Sequence, residues 1–293
     1  MTVRIAVTGA AGFLGGALVR HLVAGGYEVR ALVREPAAFA LPGVAAVGRC
    51  DLPDLLDESM LEGADALVHC AWATRVTDAA VARRINEDGS RRVFAAARAR
   101  GVGRIVFVSS IAARPDAPSA YGRSKHAVEA LLDPSRDLIV RPGLIVGRDG
   151  QGLFQQLRGS MQRLRLVPVF DGGRQPLQTV HVDDVCEAIR RALARGLTGT
   201  LAVAEPEPIA MATFLRSMAE RLGVRCLFVP VPFRPALATL RRLEAWGVPV
   251  PLRSESLLGL QGMRPVDVRA DLARLELAVR PAADSLAEAI GPP

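Results

Sequence analysis

Tyr121-Gly122-Arg123-Ser124-Lys125 sets a phenol and an ammonium four residues apart, a spacing that puts both on one face of a helix. A free phenol ionises near pH ~10, too high to release its proton readily at neutral pH, and a neighbouring ammonium favours the phenolate. Such a pair can exchange a proton with a carbonyl or hydroxyl group. The pattern alone is common on surface helices; composition gives it weight. Lys125 is the only lysine, Asn86 the only asparagine, and Tyr121 one of two tyrosines. Where arginine replaces lysine wherever a charge suffices, the lysine that survives marks a need for a compact ammonium.

Upstream, Val106-Phe107-Val108 reads as a strand ending in Ser109-Ser110. Ser110 is the better candidate to hydrogen-bond a substrate carbonyl, with Ser109 close behind, and strand-end capping is the alternative for both. Asn86 lies in a long helical stretch, where an amide side chain is a poor helix former suited to holding a water or a backbone kink.

Thr8-Gly9-Ala10-Ala11-Gly12-Phe13-Leu14-Gly15 falls between a strand and a helix. There glycines make the tight turn that lets backbone approach a pyrophosphate at a helix N-terminus. Gly9, Gly12, Phe13, Leu14 and Gly15 are the expected phosphate cradle. A nicotinamide dinucleotide bound there would carry the hydride while Tyr121 exchanges the proton with the carbonyl or hydroxyl, with Lys125 also holding its ribose. The second strand ends at Val33-Arg34 without the carboxylate that favours NAD, and an arginine can pair with the additional phosphate of NADP. NADP is therefore the expected cofactor and NAD the other choice, with Arg34 as a solvated strand-end charge the plainer reading. Asp51 after the third strand suits the adenine amino group or a loop cap.

The elements that would position these residues alternate. Strands are expected at Val3 to Thr8, Glu28 to Val33, Ala45 to Gly48, Ala66 to Cys70, Arg104 to Val108 and Leu138 to Arg141. Helices are expected at Gly12 to Ala24, Ala79 to Arg100 and Tyr121 to Leu132. This pattern predicts an α/β protein with a doubly wound parallel sheet. Residues 1–150 form the dinucleotide-binding domain in this reading. Residues 151–293 form mostly a smaller substrate-binding lobe, with some elements returning to the sheet. Phe170 to Arg174 is expected on the substrate side. His181-Val182-Asp183-Asp184 suits neither a metal site nor a triad, and Asp183 is expected to cap the following helix.

The chain has 293 residues, half of them hydrophobic, yet its apolar runs are broken well before spanning length. The N-terminus enters the glycine turn without room for a leader, so a cytoplasmic protein with no membrane partner is expected. Four scattered cysteines show no metal-ligand spacing, and no metal is expected. The formal charge is +7, but aromatics are only 4% of residues. Small anionic ligands suit this better than nucleic acid.

In order, the glycine loop, Asp51-Leu52, Leu67-Val68-His69-Cys70-Ala71, Asn86, Ser109-Ser110, Tyr121 to Lys125, Arg141-Pro142-Gly143 and His181 to Val185 resemble an extended short-chain dehydrogenase/reductase. The likeness is to the NAD(P)-dependent epimerase/dehydratase family and covers nearly the whole chain. It implies a Rossmann fold, Ser110, Tyr121 and Lys125 as catalytic residues with Asn86 supporting a proton relay, and cofactor contacts at Leu52, Ala71 and Pro142. It also implies a homodimer contact through the two long helices. There are departures. Ile111-Ala112 follow Ser110 where sugar-nucleotide dehydratases of the family carry an acid, which argues against dehydration. The short loop from Ser110 to Tyr121 leaves open whether the substrate is a nucleotide-linked sugar. That loop and the tail around Pro265-Val266-Asp267 are shared with members that act as sensors or assembly factors. Two functions are thus expected candidates: an NADP-dependent oxidoreductase or epimerase acting on a carbonyl or hydroxyl, and a redox-inactive NADP(H)-binding protein.

Overall fold

The computed structural model describes residues 2–74, 76, 78–148, 153–248, 250 and 252–291. The first half alternates β1 (Arg4–Thr8), α1 (Phe13–Ala24), β2 (Glu28–Val33), β3 (Ala46–Asp51), a short β4 (Leu55–Leu56) and β5 (Ala66–His69). It continues through α2 (Ala79–Arg83), a π-helical turn (Arg84–Asp88), α3 (Gly89–Ala99), β6 (Arg104–Val108), α4 (Ala120–Glu129) and β7 (Leu138–Pro142). Then follow β8 (Leu144–Val146), α5 (Leu153–Leu164), β9 (Leu166–Phe170), β10 (Pro176–Leu177), β11 (Thr179–His181), α6 (Val182–Ala194) and β12 (Gly199–Val203). The last elements are β13 (Ile209–Ala210), α7 (Met211–Arg221), β14 (Leu227–Val231), α8 (Phe233–Ala245), α9 (Ser254–Gln261), α10 (Arg269–Leu275) and α11 (Ala282–Ile290).

The main sheet has eight strands in the order β12-β7-β6-β5-β1-β2-β3-β4, all parallel except β4. Side chains alternate across it, as a strand period of two requires. Ile5 and Val7 enter the core under α1 and α6, while Ala6 enters the opposite core with Val93 and Phe94 of α3. The chain crosses from the β3 side to the β5 side next to β1. The connections that leave the carboxyl ends of β1 and β5 therefore turn to opposite sides, and this topological switch point is where ligands bind in such sheets. β12 joins the sheet from the second half, and a separate core around Phe154, Phe214 and Leu257 builds the smaller lobe. Among the described residues, no helix is long and apolar enough to cross a membrane.

Two local expectations are corrected. The helix expected over 79–100 is interrupted by the π turn at Asn86, a turn type frequent where a helix is adapted to a site. The side chain capping α6 is that of His181, which accepts from the Asp183 amide at 3.3 Å, while Asp183 itself sits exposed in the first turn. Helix α8 starts directly after Pro230-Val231-Pro232, with Pro232 as its N-cap. Its only internal proline, Pro235, lies in the first turn, where no intrahelical N–H is needed.

Candidate active site

The glycine loop is built by close approach. Gly9 has φ +69°, and a Cβ there would stand 2.7 Å from the Ala71 amide nitrogen, so the ends of β1 and β5 nearly touch. A Cβ on Gly15 would meet the Gly9 carbonyl oxygen at 2.1 Å, which seats α1 directly on the loop. Gly12 is the N-cap of α1 and brings no side-chain cap. The amides of Phe13, Leu14 and Gly15 thus open the helix without intrahelical partners, beside the switch point. Phe13 packs over Gly147, whose added Cβ would come within 2.7 Å of the ring. Free amides, a positive helix end and a cradle with no room for side chains fit a pyrophosphate.

Arg34 follows β2 directly, is exposed and makes no ion pair among the described residues. Asp51 ends β3. Leu52 packs against Gly89 at the start of α3, and Pro142 ends β7, its carbonyl accepting from Ile111 (3.0 Å). These residues rim the carboxyl edge of the sheet.

A buried polar chain runs beneath this edge. The Ala71 amide donates to Thr8 Oγ1 (3.4 Å), and Thr8 and His69 Nδ1 are 2.7 Å apart. His69 Nε2 and Ser90 Oγ are 3.0 Å apart, and Ser90 donates to the Asn86 carbonyl at 2.5 Å. Ser90 has one hydroxyl proton and spends it on Asn86, so His69 must donate from Nε2 and accept the Thr8 proton at Nδ1. Burial pushes the imidazole down to about 3, with the Lys125 charge adding to the effect, and keeps it neutral. The Asn86 side chain is buried and holds both backbone groups of Ala73, accepting from its amide (2.7 Å) and donating to its carbonyl (3.2 Å). Its amide is thereby committed to the segment after β5.

Ser110, Tyr121 and Lys125 come together at the end of β6. Ser119 caps α4 through the Gly122 amide (3.3 Å), and Glu255 from the lobe accepts from the Ala120 amide (2.7 Å), fixing the first turn that carries Tyr121. Gly122 lets α4 press on the preceding loop, since a Cβ there would lie 2.6 Å from the Ala112 carbonyl oxygen. The Tyr121 ring is 41% exposed, but its hydroxyl end is desolvated enough to raise its pKa, against which a hydrogen bond with Ser110 acts.

Lys125 is buried, and its Nζ donates to the Val108 carbonyl at 2.6 Å, the last strand residue before the two serines. It stands 3.7 Å from the Trp72 ring centroid, 4.7 Å from that of Phe107 and 6.0 Å from that of Tyr121. Trp72 also meets Tyr121 edge to face, with centroids 6.2 Å apart. Burial lowers the ammonium to about 7. Cation–π contact of up to ~2 kcal/mol offsets part of that desolvation. Ser109 points elsewhere and donates to Glu129 (2.5 Å), whose carboxylate also takes Nε and a terminal nitrogen of Arg141. Sequence reasoning passed over Trp72 and Glu129. The signals were present, because Trp72 is one of two tryptophans and Glu129 follows Lys125 by one helical turn.

Fold and site together define a dinucleotide-binding α/β protein of oxidoreductase or epimerase type. The chain belongs to the NAD dependent epimerase/dehydratase family, whose profile matches residues 5–203. It is 33% identical to a 4-hydroxy-2-methyl-3-oxo-4-farnesyl-3,4-dihydroquinoline-1-oxide ketoreductase of Stigmatella aurantiaca, over 94% of this chain and 91% of that one. It is 32% identical to a ceramide reductase of Caulobacter vibrioides, over 83% and 78% of the two chains. MoeE5, solved with UDP-glucose and NAD, superposes with a TM-score of 0.76 at 23% identity, over 98% of this chain and 97% of that one.

Proposed function

We propose that the chain is an NADP(H)-dependent ketoreductase whose substrate carries its carbonyl on a bulky apolar body. The assembly of Ser110, Tyr121 and Lys125 at one strand end, beside the phosphate cradle, carries this reading. The Ser110 and Tyr121 hydroxyls hold the carbonyl oxygen. Tyr121 gives it a proton, and a nicotinamide held at the glycine loop would supply the hydride for the carbonyl carbon. Lys125 stabilises the phenolate left behind and holds the nicotinamide ribose. Asn86 acts as a positioning residue, fixing Ala73 and with it the segment that carries Trp72.

Reduction is favoured over dehydration because Ile111, not an acid, follows Ser110. It is favoured over epimerisation because both relatives described above are reductases. Their named substrates bear long hydrocarbon portions, hence the apolar body. NADP is favoured by Arg34, which is exposed and makes no ion pair among the described residues, and by Val33 standing where β2 would otherwise end in a carboxylate. MoeE5 is solved with NAD, and NADH is therefore assayed beside NADPH.

The test is NADPH oxidation by the purified protein with long-chain apolar ketones and, in parallel, UDP-sugars. Turnover of the ketones is expected, with a preference for NADPH over NADH that Arg34→Ala diminishes. Tyr121→Phe should lower kcat by about 10²-fold or more while NADPH still binds. Full turnover by that variant would overturn the mechanism.

A further inference from the structure

Positive charge in this chain is concentrated in one place. Residues 153–170 and 211–253 hold ten arginines against two carboxylates, a net +8, while the whole chain carries +7. The remainder is slightly acidic. The two segments are neighbours in the lobe: β9 pairs with β14 in parallel, Leu166 beside Leu227, and α8 follows β14 through Pro232. Arg163, Arg165, Arg221, Arg225, Arg241 and Arg242 are all exposed, and none makes an ion pair or side-chain hydrogen bond among the described residues. Elsewhere many arginines are matched, as Arg141 is by Glu129 and Arg280 by Asp184.

Large apolar side chains stand out among these charges. The three most exposed in the described structure are Trp246 at 76%, Leu227 at 65% and Leu164 at 59%. Leu164 lies between Arg163 and Arg165 in sequence, and Trp246 closes the helix that holds Arg241 and Arg242. Leu237 and Leu240 of α8 pack against the same core as Phe228 and Val231 of β14.

We propose that this face of the lobe docks on an anionic lipid bilayer, lying on the surface without crossing it. Unpaired arginines attract anionic headgroups, and the projecting tryptophan and leucines enter the headgroup boundary, the combination that interfacial segments use. A second copy of the chain would bring two +8 faces together. Nucleic acid would leave the leucines without a partner. The sequence expectation of no membrane partner rested on spanning length, which does not bear on a surface contact.

The proposal is independent of the substrate and cofactor reading, and its test has no activity readout. Vesicles of phosphatidylcholine with about 30% phosphatidylglycerol should co-sediment the full chain, with binding that weakens as salt rises. Pure phosphatidylcholine should bind weakly. Emission from Trp246, taken as the difference between wild type and Trp246→Ser, should shift to the blue on binding. Arg241→Glu with Arg242→Glu should weaken partitioning about tenfold or more, as should Leu227→Ser with Trp246→Ser. Val81→Ser, an exposed change away from the lobe, should not. All these side chains are exposed, so unchanged thermal midpoints are expected and verify folding. Binding that ignores lipid charge or both double variants overturns the proposal. So does absence of vesicle binding, whether or not the face then proves to support self-association or nucleic-acid binding.

Discussion

Lys125 sits in an unusual place for a charge, between an aromatic wall and the Val108 carbonyl. Burial brings it down to about 7, and Glu129 opposes that fall. Cys70, its other neighbour, is itself pushed up to about 12 by burial and stays a neutral thiol, so it lends no negative charge at working pH. In the proposed reduction, both members of the pair act in their acid forms: Tyr121 protonated, Lys125 charged. Burial raises Tyr121, so the alkaline limit belongs to Lys125. The expected profile is a kcat/KM for reduction that is level on the acid side. Above pH about 7 it falls by up to tenfold per pH unit. Trp72→Leu removes the closest ring from the ammonium. With cation–π contact at about 1 kcal/mol, the inflection should move about half a pH unit or more to the acid side. An inflection that stays in place in this variant would show that the ring does not support the charge.

At the scale of elements, two glycines divide the work between cofactor and chemistry. Gly15→Ala forces a Cβ to 2.1 Å from the Gly9 carbonyl oxygen, and α1 must lift from the loop. NADPH affinity should drop at least tenfold, as titration of NADPH fluorescence would reveal. Gly122→Ala pushes α4 off the Ala112 carbonyl and moves Tyr121 relative to Ser110. A displacement of about 1 Å can cost ~10²-fold, so kcat should collapse while the NADPH Kd changes little; equal losses in both would contradict this division. Much of the arrangement was legible in the sequence, because helical spacing fixes Tyr121 against Lys125 and the glycine pattern fixes the turn after β1. What was not legible depends on partners distant in the chain. Ser109 and Ser110 look alike until Glu129 claims one and Tyr121 the other. Trp72 has no periodic signal because it lies in a loop, and it gains meaning only when α4 brings Lys125 over it. The π turn was hidden for a related reason: α2 and α3 share one helical period, and only the Asn86 bonds to Ala73 mark the interruption.

For the whole molecule, the buried Thr8–His69–Ser90–Asn86 chain joins the glycine-loop strand, the next strand across the switch point and the π turn in one hydrogen-bonded path. Burial keeps its imidazole neutral, and a second ring proton would make Thr8 accept from Nδ1 and turn its own hydroxyl proton elsewhere. The linkage to stability has a definite sign. Burial lowers His69 to about 3 in the folded protein, whereas unfolded histidine titrates near 6.5. Between these values the unfolded chain binds a proton that the folded chain refuses, so stability falls as pH drops below about 6.5 and levels off near 3. By pH ~4.5 the loss from this one group is on the order of 2–3 kcal/mol. Above pH about 7 the group contributes no slope. His69→Gln has no ring to titrate, so at neutral pH it should be the less stable protein through the disrupted path, and its stability should vary less with acid. The difference in denaturation midpoint between wild type and His69→Gln should therefore narrow steadily from pH 7 to pH ~4.5. A difference that stays constant across that range would mean that His69 charges freely in the fold and that the path tolerates an imidazolium.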